Sequence, residues 1–314
     1  MWREPRSSTV ILVQPNNCRF GCRVSFVGML LLIGSVGVAT SHAESPRKDR
    51  GRLKQPVFRV AESERAAPAA QVHPLDAPIR MGREKLEFSR QQIRDYSATL
   101  VKREQVGGEL LEHQFIFLKV RNERKNPDGS ASVPLSVYMR FEGPDPVKGR
   151  EVLWVKGRNN NKLIAHEGSG FVGLISVWLD PKSAVAMRGQ RYPISSVGME
   201  NLLHQYVDRL QQDKRNGTPK DFEVKVSRGA SVDGRPCTLI KVTHPTRRAY
   251  LQKYKSRLFI DEETHLPIRY VTLGWPTSKG AKPAIIEEYT YTKVKLNPGF
   301  TDADFNHKNR NYRF

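Results

Sequence analysis

The densest group of chemically capable side chains is the run DEETH, which places Asp261, Glu262, Glu263 and His265 within five positions. Carboxylates beside an imidazole are the groups from which a metal site or an acid–base pair is built. Smaller groups share that chemistry. His166-Glu167 opens like a zincin motif, but Gly170 stands where the second histidine is needed. His204 and Asp208 are one helical turn apart and can pair on a polar helix face. Arg103-Glu104 and Arg150-Glu151 set opposite charges side by side. On a strand such neighbours point to opposite faces, so each suits a cross-strand ion pair better than a shared catalytic task. The chain has no G-x-S-x-G, H-E-x-x-H, P-loop or G-x-G-x-x-G pattern. Residue types and spacing therefore predict no metal and no cofactor.

Whether DEETH does chemistry is decided by its flanks. Leu258 and Ile260 alternate with Arg257 and Phe259, and Leu266, Ile268 and Tyr270 alternate with Arg269 and Val271. A period of two on both sides marks two strands, so DEETH is predicted to be a hairpin loop. Asp261 suits its first position, where a short carboxylate accepts backbone N–H groups. A metal site needs three or four ligands converging from a rigid scaffold, which one loop does not supply.

The same reading organises the rest of the chain. Ile79, Leu86 and Ile93 predict a helix over 79–93. Met199, Leu202, Leu203, Tyr206, Val207 and Leu210 form one apolar stripe, predicting a second helix that Ser195 or Ser196 caps and Asn216-Gly217 ends. Strand-like runs joined by short turns fill the remainder, about ten in all, which implies antiparallel pairing. The fold class is α+β: a long curled antiparallel sheet, an open half-barrel, wrapping two helices. In that geometry Leu203, Tyr206, Val207 and Leu210, with Trp154 and Trp178, are candidates to line an apolar ligand space. Core packing is the competing role, above all for the tryptophans.

The N-terminus reads as an export signal. Arg3, Arg6, Arg19 and Arg23 precede the apolar run VSFVGMLLLIGSVGVA and then Ser41-His42-Ala43. Cleavage after Ala43 is predicted, with an uncleaved anchor as the alternative. Residues 44–77, rich in Pro, Ala, Ser and basic residues, read as a flexible linker, and 78–314 as a single domain. Removing 1–43 leaves Cys237 as the lone cysteine, a small buried residue rather than a redox centre. The chain carries a net charge of +20. About +17 remains after removal of the signal. Outside the cytoplasm the matching polyanions are lipid head groups, cell-wall polymers and acidic proteins, not nucleic acid, and peripheral membrane contact fits the same charge. Plain solvation at high charge is the alternative.

Several stretches in order, YSATLVKRE, VYMRFEGPDPVKGREVLWVKGRNNNKLIAHEG, AMRGQRYPISSVGMENL and LNPGFTDADFNHKNRNYRF, resemble domain-of-unknown-function family 1571, exported bacterial proteins prominent in planctomycetes. The resemblance spans roughly residues 79–314 and brings no activity with it. More remotely, LFIDEETHLPIRY and the late DADF are similar to the LolA and RseB lipoprotein-binding group. That similarity implies an unclosed barrel around helices with a cavity for acyl chains or lipoproteins.

Three functions follow. The first is a non-enzymatic envelope protein that binds a lipid, lipoprotein or other amphiphile in an apolar cavity. The second is an envelope scaffold or sensor meeting an anionic polymer or protein through its basic surface. The third is a hydrolase assembled from scattered residues inside the family-like stretches, such as His166, Glu167, Arg191 and Tyr192, which with Arg150, Glu151 and Arg158 make up the candidate polar cluster. The first requires an open apolar cavity, the second a filled barrel, the third converging ionisable groups in a cleft.

Overall fold

Helix α1 (Asp76–Gln92) buries Pro78, Ile79, Gly82, Leu86 and Ser89 along one face. It starts three residues before the predicted boundary because Pro78 falls in the first turn, where no backbone donor is required of it. Helix α2 (Met199–Asn216) buries Met199, Leu203, Tyr206, Val207 and Leu210, the predicted stripe, and ends at Gly217. Its start differs from the sequence reading. Ser195 and Ser196 lie in a short 3₁₀ turn, and Gly198 at φ +118° is the cap residue. The backbone N–H of Met199 donates instead to the Tyr96 hydroxyl at 2.9 Å, so the sheet supplies the cap.

The computed structural model describes residues 55–59, 73–126, 128–168, 175–278 and 280–314, all inside one compact unit, Gly51–Phe314. The predicted signal segment and most of the predicted linker lie outside these residues. No helix among the described residues is long and apolar enough to cross a membrane.

The strands, in chain order, are β1 (Phe58–Arg59), β2 (Asp95–Val106), β3 (Glu109–Leu110), β4 (Gln114–Arg121), β5 (Arg124–Lys125) and β6 (Ala131–Val133). Then come β7 (Ser136–Gly143), β8 (Glu151–Val155), β9 (Leu163–His166) and β10 (Ser176–Leu179). After α2 follow β11 (Glu223–Val232), β12 (Arg235–Thr243), β13 (Lys255–Asp261), β14 (Pro267–Leu273) and β15 (Ile285–Leu296). Thirteen make one sheet in the order β1-β11-β12-β13-β14-β15-β2-β4-β7-β8-β9-β10, with β3 beside β2, and β5 pairs β6 separately. Every pairing is antiparallel. The last strand returns to pair with β2, joining the halves before and after α2, while β1 and β10 end the sheet unclosed. Four of the strands, β1, β3, β5 and β6, are two- and three-residue pieces, too short for a period-two signal, so the sequence reading of about ten falls short of the number observed.

The face toward the helices carries Tyr96, Leu100, Met139, Phe141 and Trp154 around Ile194 and Met199. A second cluster sets Ile240, Leu258 and Ile260 against Ile79, Leu86 and Leu203. The outer face is also covered. Tyr138, Leu153, Val155 and Ile164 pack under Phe305 from the C-terminal segment. The DADF motif is a 3₁₀ turn (Asp302–Phe305) held by Thr301 and Asp304 in a capping box. Asp302 pairs with Arg121 and Arg158, each at 2.7 Å.

DEETH joins β13 to β14. Asp261 is wholly buried, and its Oδ1 accepts the backbone N–H groups of Glu263 at 3.1 Å and Thr264 at 2.7 Å. Its partner lies outside the local pattern: Arg235, on the neighbouring strand β12, grips both carboxylate oxygens. Changing Glu262 and Glu263 to Gln should move stability by only a few tenths of a kcal/mol, as at solvated positions. Asp261→Ala should cost about 1–3 kcal/mol, since it strands buried donors. Urea unfolding that ranks the two replacements the other way would refute this assignment.

Candidate functional site

The inner face is not filled everywhere. Between α2, the loop preceding it and the sheet lies a cavity of about 380 Å³. A second, of about 390 Å³, opens beside it toward the β10 edge. Met139, Gln190, Tyr192 and Val197 line both, so they form one cleft with two compartments.

The compartment near β10 is apolar. Phe141, Val152, Leu163 and Ala165 form its floor, and Val185, Ala186 and Ile194 of the loop form its roof. Its rim meets solvent: Ile175 is 61% exposed, Val185 58% and Val177 41%. Arg150 and Glu167 pair at 2.9 Å on its lining. A sealed void of 390 Å³ would forfeit about 9 kcal/mol at roughly 24 cal/mol per Å³. That is comparable to the whole stability of a domain, about 5–15 kcal/mol. Space of this size, open at an apolar rim, is large enough to admit an apolar group.

The other compartment has a charged floor. β2 turns its even-numbered residues inward, and after Tyr96, Ala98 and Leu100 these are Lys102 and Glu104. On β15 the inward residues are Glu287, Tyr289 and Tyr291. Glu104 and Glu287 stand directly opposite in the β2–β15 register. Two buried carboxylates so placed repel unless cations attend them. Lys102 donates to Glu104 at 2.9 Å, and Tyr289 donates to the same carboxylate at 2.6 Å. Lys253 donates to Glu287, as does the Tyr192 hydroxyl at 2.8 Å, and Arg191 lies 3.3 Å away. Burial pushes the Glu287 carboxyl up, but Lys253, Tyr192 and Arg191 outweigh it and hold the group below the usual carboxylate range. Burial lowers Lys102, partly offset by Glu104. Burial and the neighbouring Glu287 raise the Tyr192 phenol.

The sequence candidates divide among these places. Arg191 and Tyr192 join the charged floor, and Tyr206 lines the same compartment with its ring 6.1 Å from Tyr270. Leu203, Val207 and Leu210 pack in the cluster beneath α1. Trp154 is buried, and its indole N–H donates to the Asn161 carbonyl at 3.2 Å. Trp178 lies against His307 at 5.3 Å. Arg150 and Glu167 meet at the apolar compartment, whereas Glu151 accepts the backbone N–H of Arg313, and Arg158 pairs with Asp302. His166 lies 3.3 Å from the Ser176 hydroxyl. Sequence reasoning missed Lys102, Lys253, Glu287 and Tyr289, and it expected a cross-strand ion pair for Glu104, which instead stands opposite Glu287. The available signal was a strand whose inward alternation switches from apolar residues to Lys102 and Glu104. Among the described residues no three His, Cys, Asp or Glu side chains converge as metal ligands would.

The family described as "Protein of unknown function (DUF1571)" matches residues 93–314. No curated protein matches the chain. Among solved structures, it is similar to a putative outer membrane lipoprotein-sorting protein domain from Vibrio parahaemolyticus, at 11% identity and a TM-score of 0.34, covering 73% of this chain and 95% of that one. It is also similar to the Mycobacterium tuberculosis lipoprotein LppX, at 15% identity and a TM-score of 0.38, covering 72% and 98%. A LolA superfamily protein from Nitrosomonas europaea is similar at 12% identity and a TM-score of 0.26, covering 72% and 97%.

Proposed function

We propose that the chain, which belongs to the DUF1571 family, is a non-enzymatic exported protein that binds an amphiphile, a lipid or a lipoprotein acyl chain, in the cleft between α2 and the sheet. The observation that carries this reading is the apolar compartment of about 390 Å³, lined mainly by aliphatic side chains and open at an exposed apolar rim. An acyl chain gains about 0.8 kcal/mol per buried methylene. Some twelve methylenes give roughly 10 kcal/mol before association costs of about 4 kcal/mol or more, enough for binding in the tens of micromolar without reactive groups. The carboxylates of the charged floor do not favour hydrolysis, because each is already occupied by cations and hydroxyls. The basic start, apolar run and Ser41-His42-Ala43 support export to the envelope.

A second reading, a scaffold or sensor that meets an anionic polymer or protein, draws on the net charge of +20. The two separate in one experiment. The purified protein is titrated with cis-parinaric acid, whose fluorescence rises in apolar surroundings, at low and at physiological salt. Saturable binding that survives the added salt is expected. Absence of saturation, alongside binding to anionic vesicles or cell-wall material that collapses as screening shortens, would hand the case to the scaffold.

A further inference from the structure

The charged floor adjoins the apolar compartment, and its charges do not balance. Lys102, Lys253 and Arg191 face Glu104 and Glu287, three cations to two carboxylates. Of the other charged groups lining that compartment, Arg209 is held by Asp213 at 3.1 Å, and Asp208, about half exposed at 49%, meets His204 at 2.9 Å at the solvent edge. The hydrogen-bond capacity is lopsided in the same direction. Glu287 accepts from Lys253, Thr272 and Tyr192 and lies against Arg191, which uses about the four acceptor positions of a carboxylate. Glu104 accepts from Lys102, Tyr289 and the backbone N–H of Arg191. The acceptors are nearly spent and the donors are not. Among the described residues, Lys253 gives one ammonium N–H to Glu287, and Lys102 gives two, to Glu104 and Gln190. An ammonium has three to give. An uncompensated cation in a half-buried site is costly, and an anion that enters it recovers that cost through charge-assisted bonds.

We propose that the charged compartment receives the anionic head of an acyl amphiphile, a carboxylate or a phosphate, against Lys253, Lys102 and Arg191, while the chain lies in the apolar compartment. The waist formed by Met139, Gln190, Tyr192 and Val197, common to both spaces, is where head and tail join. This rests on the amphiphile reading above and adds the chemistry of the head.

The test separates the two ideas. cis-Parinaric acid and its methyl ester share one tail and differ in charge, so both are titrated at pH 8 against the unsubstituted protein, Lys253→Gln, Lys102→Gln and Lys253→Arg. The acid should bind at least tenfold more tightly than the ester. The preference should fall below about threefold in Lys253→Gln and return in Lys253→Arg, which also shows that the fold tolerates change there. Equal affinity for acid and ester overturns the inference and leaves the cleft reading intact. A preference undiminished in both Lys253→Gln and Lys102→Gln overturns the placement of the head. If neither probe binds, the cleft reading fails and the inference with it. Competition by laurate and by dodecyl phosphate, matched in chain length, then tells which anionic head is preferred.

Discussion

Leu203→Ala is expected to destabilise the protein by about 2–5 kcal/mol while leaving its affinity for cis-parinaric acid essentially unchanged. Leu203 is 0% exposed and packs with Ile79, Leu86, Val207 and Leu210. The space around it cannot collapse easily, because the two helices are already in close contact. A Cβ placed on Gly82 of α1 would stand 2.7 Å from the Val207 Cγ2 of α2, so only glycine lets α1 come this near. The truncation therefore leaves a cavity in addition to the lost transfer energy. Its position also predicts which property survives. The stripe of α2 containing Leu203, Val207 and Leu210 points at α1 and the β12–β13 sheet, whereas Leu202, Gln205, Tyr206 and Arg209 line the charged compartment. Urea unfolding and a parinaric acid titration on the same preparation check both halves. A penalty below about 1 kcal/mol together with altered affinity would place the stripe in the ligand site and overturn the division drawn between core and cleft.

Much of this arrangement was readable from local pattern. The DEETH hairpin and the stripe of α2 each depend on neighbours within a few residues, and each lies where alternation or helical spacing predicts it. The cleft was not readable in this way. Its charged floor exists because β15 returns to β2 and sets Glu287 opposite Glu104, a pairing across more than half the domain that no window of sequence displays. Lys102 and Glu104 read locally as a polar end to an apolar strand. Only the register reveals that they stay buried, 6% and 4% exposed, beneath the loop that carries Gln190 and Arg191. The outer face shows the same limit. Tyr138 alternates with inward Val137 and Met139 as a solvent-facing residue would, yet Tyr312 stacks on it at 4.0 Å because the C-terminal segment folds back over the sheet. Segments that cover a sheet from far along the chain carry no periodicity of their own, so their role emerges from packing alone.

Ala165→Trp should produce the converse result, a loss of parinaric acid affinity of more than tenfold with little change in stability. Ala165 is half-buried on β9, with Val152 of β8 and Val177 of β10 as its cross-strand partners, and all three line the apolar compartment. A larger side chain in a packed core costs about 1–3 kcal/mol in strain, but here the indole enters space that no side chain holds, so the cost should fall below that range. Its effect on a ligand is larger. Each methylene denied burial forfeits about 0.8 kcal/mol, so excluding two already exceeds the roughly 1.4 kcal/mol of a tenfold change. The acid and its methyl ester should lose affinity by the same factor, since the substitution acts on the tail, whereas Lys253→Gln acts on the head and should affect the acid alone. If Ala165→Trp leaves both affinities intact while the protein remains folded by circular dichroism, the acyl chain does not lie between β9 and the loop, and the apolar compartment would have to be abandoned as its site. If it instead unfolds the protein, Ala186→Trp, on the loop at the opposite wall of the same compartment, repeats the test from a position with no strand pairing to disturb. Retained binding in a folded Ala186→Trp protein would then exclude the compartment on the same grounds.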